Sequence, residues 1–203
     1  MLLICIFEVN SPMHFLVLNT FLAYIPIELG FFLERPKIKT GWIFWPVWLI
    51  WLMFYPNTPY ILTDLFHLSL LNPYNQAGLI KLSTTMWVNY TFLFVSAIGF
   101  ALIGFDGLTK IARILSHKLG GHSPKLSQLI TVILTLLSSI GVFIGRFLRI
   151  HTIYLFISPR LFINPLIQMW RPKMLAFVFL FTFIQLFIYW IINLIITSHP
   201  KSD

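Results

Sequence analysis

Charge is the scarcest commodity in this chain. Of 203 residues only six are acidic and fourteen are Lys or Arg, so 10% of the sequence is charged, against roughly 25% in a soluble domain. With 58% hydrophobic residues and a mean hydropathy of +0.86, that shortage excludes a water-soluble globule. It excludes disorder too, which needs low hydrophobicity and high charge density. A single cysteine, Cys5, rules out an intramolecular disulfide and a cysteine-rich metal site. The sequence contains no GxSxG, HExxH, phosphate-binding glycine loop or zinc spacing, so no motif asks for a metal or cofactor. No internal repeat is visible. The net charge of +8 would suggest nucleic acid in a soluble protein. Here it reads as anchoring to anionic lipid headgroups and as orientation in the bilayer, with no nucleic-acid partner.

What is abundant is long apolar sequence. A span needs about 20 mostly apolar residues to cross roughly 30 Å of hydrocarbon. Residues 13–33, 81–105, 126–147 and 174–197 qualify. A fifth segment, 42–55 (WIFWPVWLIWLMFY), is 14 residues long, about 21 Å as a helix. It is followed by Pro56-Asn57-Thr58-Pro59 and a helix-compatible stretch over 59–71. Two readings fit: a short span ending in an interfacial helix, or one helix broken at PNTP within the bilayer. The expected fold is an all-α polytopic bundle of about five spans, forming one integral membrane domain over 1–203. Residues 1–9 (MLLICIFEV) are too short to cross and have no basic region of a signal peptide; they read as an ordered stub or as the end of a further helix. The cysteine of Leu-Leu-Ile-Cys is a poor lipoprotein site.

With five crossings, eight basic residues (Arg35, Lys37, Lys39, Lys110, Arg113, Lys118, Lys125, Lys201) fall on one side and six (Lys81, Arg146, Arg149, Arg160, Arg171, Lys173) on the other. The positive-inside rule makes the first side cytoplasmic, with the N-terminus outside and the C-terminus inside a cell membrane. Residues 106–125 then read as the main cytoplasmic loop, and His151–Arg171, broken by Pro159 and Pro165, as an interfacial stretch.

The densest polar signal is FYPNTPYILTDLFHL, Phe54–Leu68. Thr58-Pro59 is a good helix start, with a capping hydroxyl and then proline at the first helical position. Asn72-Pro73 is a good stop. On the intervening helix Tyr60, Thr63, Asp64 and His67 share a face, at spacings of three and four. A carboxylate at membrane depth is costly unless paired, so Asp64 should have a partner: His67, or else Arg146 or Arg149. Those arginines sit in GVFIGRFLRIH, after Gly141 and Gly145, a GxxxG pair that allows close helix packing. The candidate polar site is therefore Asn57, Tyr60, Thr63, Asp64, His67, Arg146 and Arg149. Glu28, with Asn19 on the same span, is the second acid at depth. Asn89, Gln185 and Asn193 read as interhelical hydrogen-bonding residues.

FYPNTPYILTDLFHL, NTFLAYIP (Asn19–Pro26) and GRFLRIH together resemble the signature segments of the bacterial membrane proteins gathered as domain-of-unknown-function family 1361. The resemblance covers about Asn19 to Ile196. It implies that Asn57, Pro59, Tyr60, Asp64, His67, Gly145, Arg146 and Arg149 are signature positions, and that a further helix commonly precedes the first span. This chain departs after Arg149, where His151-Thr152-Ile153-Tyr154 replaces a polar run that ends in an acid. The family implies a fold and a location but no activity. Three functions fit the residues: a non-enzymatic protein binding a lipid headgroup or a membrane-protein partner; an enzyme in which His67, oriented by Asp64, acts on an anionic lipid or envelope precursor held by the arginines; or a small transporter built on the broken PNTP helix.

Overall fold

The computed structural model describes residues 15–121, 123–148 and 159–198. It is helical almost throughout, and the chain divides into two compact units, one ending at Gly107 and the other beginning at Leu108. Among the described residues, four helices are long and apolar enough to cross a membrane. The first-span stub at residues 1–9, Cys5, Arg149 and His151–Ser158 lie outside the described residues.

In the first unit α1 spans Phe15–Glu34. Leu16, Thr20, Ala23, Gly30 and Leu33 are buried on it at helical spacing, so one stripe faces protein while Leu18, Phe21 and Phe31 face outward. Arg35-Pro36 turns the chain into the short α2, Pro36–Thr40. Then α3, Phe44–Phe54, buries Phe44 and Trp51. At 11 residues it is about 16 Å long, half of a span. It does not stop at the prolines. Tyr55 and Pro56 keep right-handed helical dihedrals, and α4 follows at once over Asn57–Asp64. The apolar segment and the PNTP motif therefore form one discontinuous helical stretch rather than a span and a separate helix.

The break has a local hydrogen-bond solution. Pro59 cannot donate to the Tyr55 carbonyl, which accepts instead from the Thr58 N–H at 3.0 Å. The Phe54 carbonyl, which Thr58 would ordinarily serve, accepts from the Asn57 side chain at 2.9 Å. A polar residue between two prolines thus closes the gap they open. Thr58 is not the cap its position suggests. The helix starts two residues earlier, at Asn57, with Pro56 at its N-cap and no side-chain cap bond, and the threonine hydroxyl is committed elsewhere.

After Asp64 the chain tightens into a 3-10 helix, Leu65–Leu71, which ends on Asn72 in the left-handed conformation with φ 46°. The expected stop at Asn72-Pro73 is where the helix ends. The short loop that follows is organised by Asn75, whose Oδ1 accepts from the Ala77 and Leu79 amides at 2.9 Å each.

Helix α5, Thr84–Lys118, has 35 residues. Its first part closes the core of the first unit. Ala23 of α1, Ile61 of α4 and Ala97 of α5 form one cluster, and Leu16 with Leu93 forms another under Leu65, Leu68 and Leu71. The stretch 106–125 is not the loop its charges suggest, because α5 continues through Lys118. Leu108, Ile111, Ala112 and Leu115 recur at helical spacing and are buried, so DGLTKIARILSHK is amphipathic helix with its charges on the outer face. Beyond Lys118 the chain turns at Gly120, with φ +97°.

In the second unit α6, Pro124–Phe143, starts with proline at its first position after Ser123 and passes into a π-turn over Ile144–Leu148. Helix α7, Pro159–Gln168, is ten residues long, about 15 Å and too short to cross. Helix α8, Pro172–Ser198, packs along α6.

Candidate functional site

Asp64 is completely buried. Its Oδ2 accepts a hydrogen bond from Asn19 Nδ2 at 2.8 Å, a well-formed N–H···O distance. His67 Nδ1 lies 3.6 Å from Asp64 Oδ1 and 3.2 Å from the Asp64 carbonyl oxygen. The imidazole is therefore held against the end of α4. The i, i+3 spacing does bring Asp64 and His67 together, but the shorter contact is to Asn19, 45 residues earlier. Asn19 was legible as a polar residue beside Glu28 in the first span and within NTFLAYIP, but not as the partner of Asp64, which lies on another helix.

The neighbouring signature residues turn to the same task of joining α4 to its neighbours. Thr58 Oγ1 donates to the Ala23 carbonyl of α1 at 3.2 Å. Its methyl group lies against Gly104 of α5 so closely that a Cβ there would collide with Thr58 Cγ2. Tyr55 donates to the Gly104 carbonyl at 3.4 Å. The cavity beside these residues, bordered by Trp51 and Asp106, is about 10 Å³, room for one water. Thr63 donates to the Tyr60 carbonyl at 2.6 Å, so its hydroxyl is used within its own turn. Tyr60 is half-buried. Glu28 takes no part in this cluster; it is exposed and accepts from Tyr24 one turn away. Asn89 bonds within its own helix, to the Thr85 carbonyl.

Arg146 belongs to the second unit, in the π-turn, and is half-buried. Gly145 falls in the same turn and is exposed, while Gly141 is still in α6, so the pair straddles a change of helical register. A close approach between elements is seen at Gly104.

The second unit carries a different feature, a cavity of about 510 Å³ bordered by the π-turn, α7 and the start of α8. Its wall is apolar: Phe143, Phe147, Met169, Met174 and Phe177. Two cations, Arg171 and Lys173, stand among the lining residues, and both are exposed. They lie at the N-terminal end of α8, where the helix dipole adds to their field. Nothing in the sequence pattern marked this groove, because its residues come from three elements and its cations read as loop charges. Among the described residues no group of three His, Cys, Asp or Glu side chains converges as a metal site would require.

Long apolar helices packed through buried polar contacts define a multi-pass helical membrane protein. The chain belongs to the family described as "Protein of unknown function (DUF1361)", whose model matches residues 18–188. No curated protein matches it, and no solved structure does.

Proposed function

We propose that the protein is a non-enzymatic membrane component that binds an anionic lipid. The observation that carries this reading is the groove of the second unit, where an apolar wall of phenylalanines and methionines meets Arg171 and Lys173. Its volume of about 510 Å³ falls within the roughly 300–1,000 Å³ of small-ligand clefts. An acyl segment would lie against Phe143, Phe147 and Phe177, and a phosphate would sit at the two cations and the first amides of α8. Arg146 stands on the same π-turn as the lining residues Phe147 and Leu148. The Asp64 cluster plays a scaffolding part, since Asn57, Thr58, Thr63 and Asp64 are all turned to protein partners. The distribution of Lys and Arg supports a cell-membrane location with the N-terminus outside and the groove on the outer side.

The test is native mass spectrometry of protein reconstituted with equal phosphatidylglycerol and phosphatidylcholine. The wild type should retain the anionic lipid preferentially. The Arg171→Gln/Lys173→Gln variant should lose about 1–3 kcal/mol of that preference, the scale of one or two charge-assisted bonds. Equal retention of both lipids, or an unchanged preference in a folded double variant, would refute the proposal.

A further inference from the structure

The interior of the second unit holds a line of small polar residues that the lipid reading leaves unused. Ser127, Thr131, Thr135 and Ser139 recur every fourth residue along α6, and the last three are buried. Each of those three hydroxyls donates to the carbonyl four residues earlier, at 2.9, 2.8 and 3.1 Å. Their protons are thereby spent within the helix, and what they offer beyond it is oxygen lone pairs.

At the inner end Ser139 Oγ accepts from Thr182 Oγ1 at 2.8 Å and from Gln185 Nε2 at 2.7 Å. Gln185 is 0% exposed, and its Oε1 has no partner among the described residues. Rotating the amide does not cure this. With the one Ser139 contact taken by Oε1, the NH₂ group would be orphaned in its place. The adjacent Ser138 Oγ, also buried, has no partner among the described residues either. In hydrocarbon such groups bear the full desolvation cost.

The outer end opens on water-compatible space. A cavity of about 360 Å³ is lined there by Arg113, His117, Ser127, Gln128, Tyr189 and Asn193. Ser127 is one helical turn from Thr131, and Tyr189 is one turn from Gln185. Twelve residues separate Ser127 from Ser139, about 18 Å along the helix axis, enough to reach the middle of a 30 Å hydrocarbon layer.

We propose that this seam is a blind aqueous cleft, a binding site for ordered water that enters from the polar cavity and ends at Gln185. Water alone suits both ends. A cation would be repelled by Arg113 at the mouth, and an anion by the lone pairs that line the seam. Water supplies the proton that Gln185 Oε1 needs and accepts or donates as each step requires.

The experiment starts from the full chain with Cys5→Ser. Thr135→Cys, inside the seam, is compared in proteoliposomes with Val132→Cys on the outward apolar face of the same helix, where Val132 is exposed. The reagent is uncharged 2-hydroxyethyl methanethiosulfonate, which reacts with the thiolate and so requires water at the thiol; the seam position should react about tenfold faster or more. A Thr135→Cys rate no greater than that of Val132→Cys overturns the proposal. A second variant decides the matter if that one fails to fold. In a hydrated cleft Gln185→Met discards bonds to Ser139 and to water, and the unfolding midpoint in detergent should fall by about 2–4 °C. In a dry seam the same change removes an orphaned acceptor, and an unchanged or raised midpoint refutes the cleft.

Discussion

The bond between Asn19 and Asp64 makes the sharpest quantitative prediction, because it separates two readings of the same carboxylate. If His67 were the principal partner, as helical spacing alone suggests, removing its ring would be the costly change. The structure orders the two differently. Asn19 donates at 2.8 Å to a carboxylate with no exposure, whereas the His67 ring, 25% exposed, stands at 3.6 Å. Asn19→Ala leaves a buried oxygen short of a donor and should cost about 1–3 kcal/mol. His67→Ala, at a partly solvated contact, should cost less than about 1 kcal/mol. A double-mutant cycle over Asn19→Ala and Asp64→Ala isolates the pair. Hydrogen bonds between membrane helices average about 0.6 kcal/mol and reach about 1.7, and a bond to a fully buried side chain belongs in the upper part of that range, so the coupling should be about 1–1.7 kcal/mol. The assay is reversible unfolding in mixed micelles, with helicity as the signal. A coupling below about 0.5 kcal/mol, the limit of simple additivity, or a larger loss from His67→Ala than from Asn19→Ala, would refute the assignment.

Other positions test the same architecture. Gly104→Ala should destabilise by about 1–3 kcal/mol through overpacking, and Thr58→Ser, which removes the offending methyl but keeps the hydroxyl, should restore most of it; the unfolding midpoint of the double variant is the readout. Asn57→Ala leaves the Phe54 carbonyl without its side-chain donor and should cost about 1 kcal/mol, with faster amide exchange confined to the kink around Tyr55. Gly78, at φ +75°, should tolerate alanine at a cost of about 1–2 kcal/mol from backbone strain alone, since nothing lies within 4 Å of the added methyl; hydrogen exchange over residues 72–83 measures it.

The long spans were legible because apolar runs of 20 or more residues leave few alternatives, and their ends agree with the helices within a few residues except at Lys118. There the charges of Asp106–Lys118 masked the buried stripe of Leu108, Ile111, Ala112 and Leu115. The pairing of Asp64 with His67 was legible for the same reason as any i, i+3 contact, since both lie on one short stretch of chain. The interhelical hydrogen bond of Gln185 was legible in kind, but the partners of Asn19, Gly104 and Gln185 were not, for each meets its partner across at least 45 residues of sequence, and no local pattern encodes which helices meet. Thr58 misled for a related reason. A threonine before proline looks like a cap until the carbonyl of Ala23 is brought beside it.

The length of α5 carries a mechanical consequence. Thirty-five residues amount to about 52 Å of helix. Even at a tilt of about 40°, the upper end of what membrane helices adopt, it projects about 40 Å along the bilayer normal and outruns the hydrocarbon by about 10 Å. The surplus is the Lys110–Lys118 end, amphipathic and charged. Its outer face there is already suited to water, so as the bilayer thins or thickens Arg113 and Lys118 can exchange headgroup for solvent at little cost while the buried stripe stays packed. This helix should therefore be indifferent to membrane thickness over a range that would strain a span cut to fit.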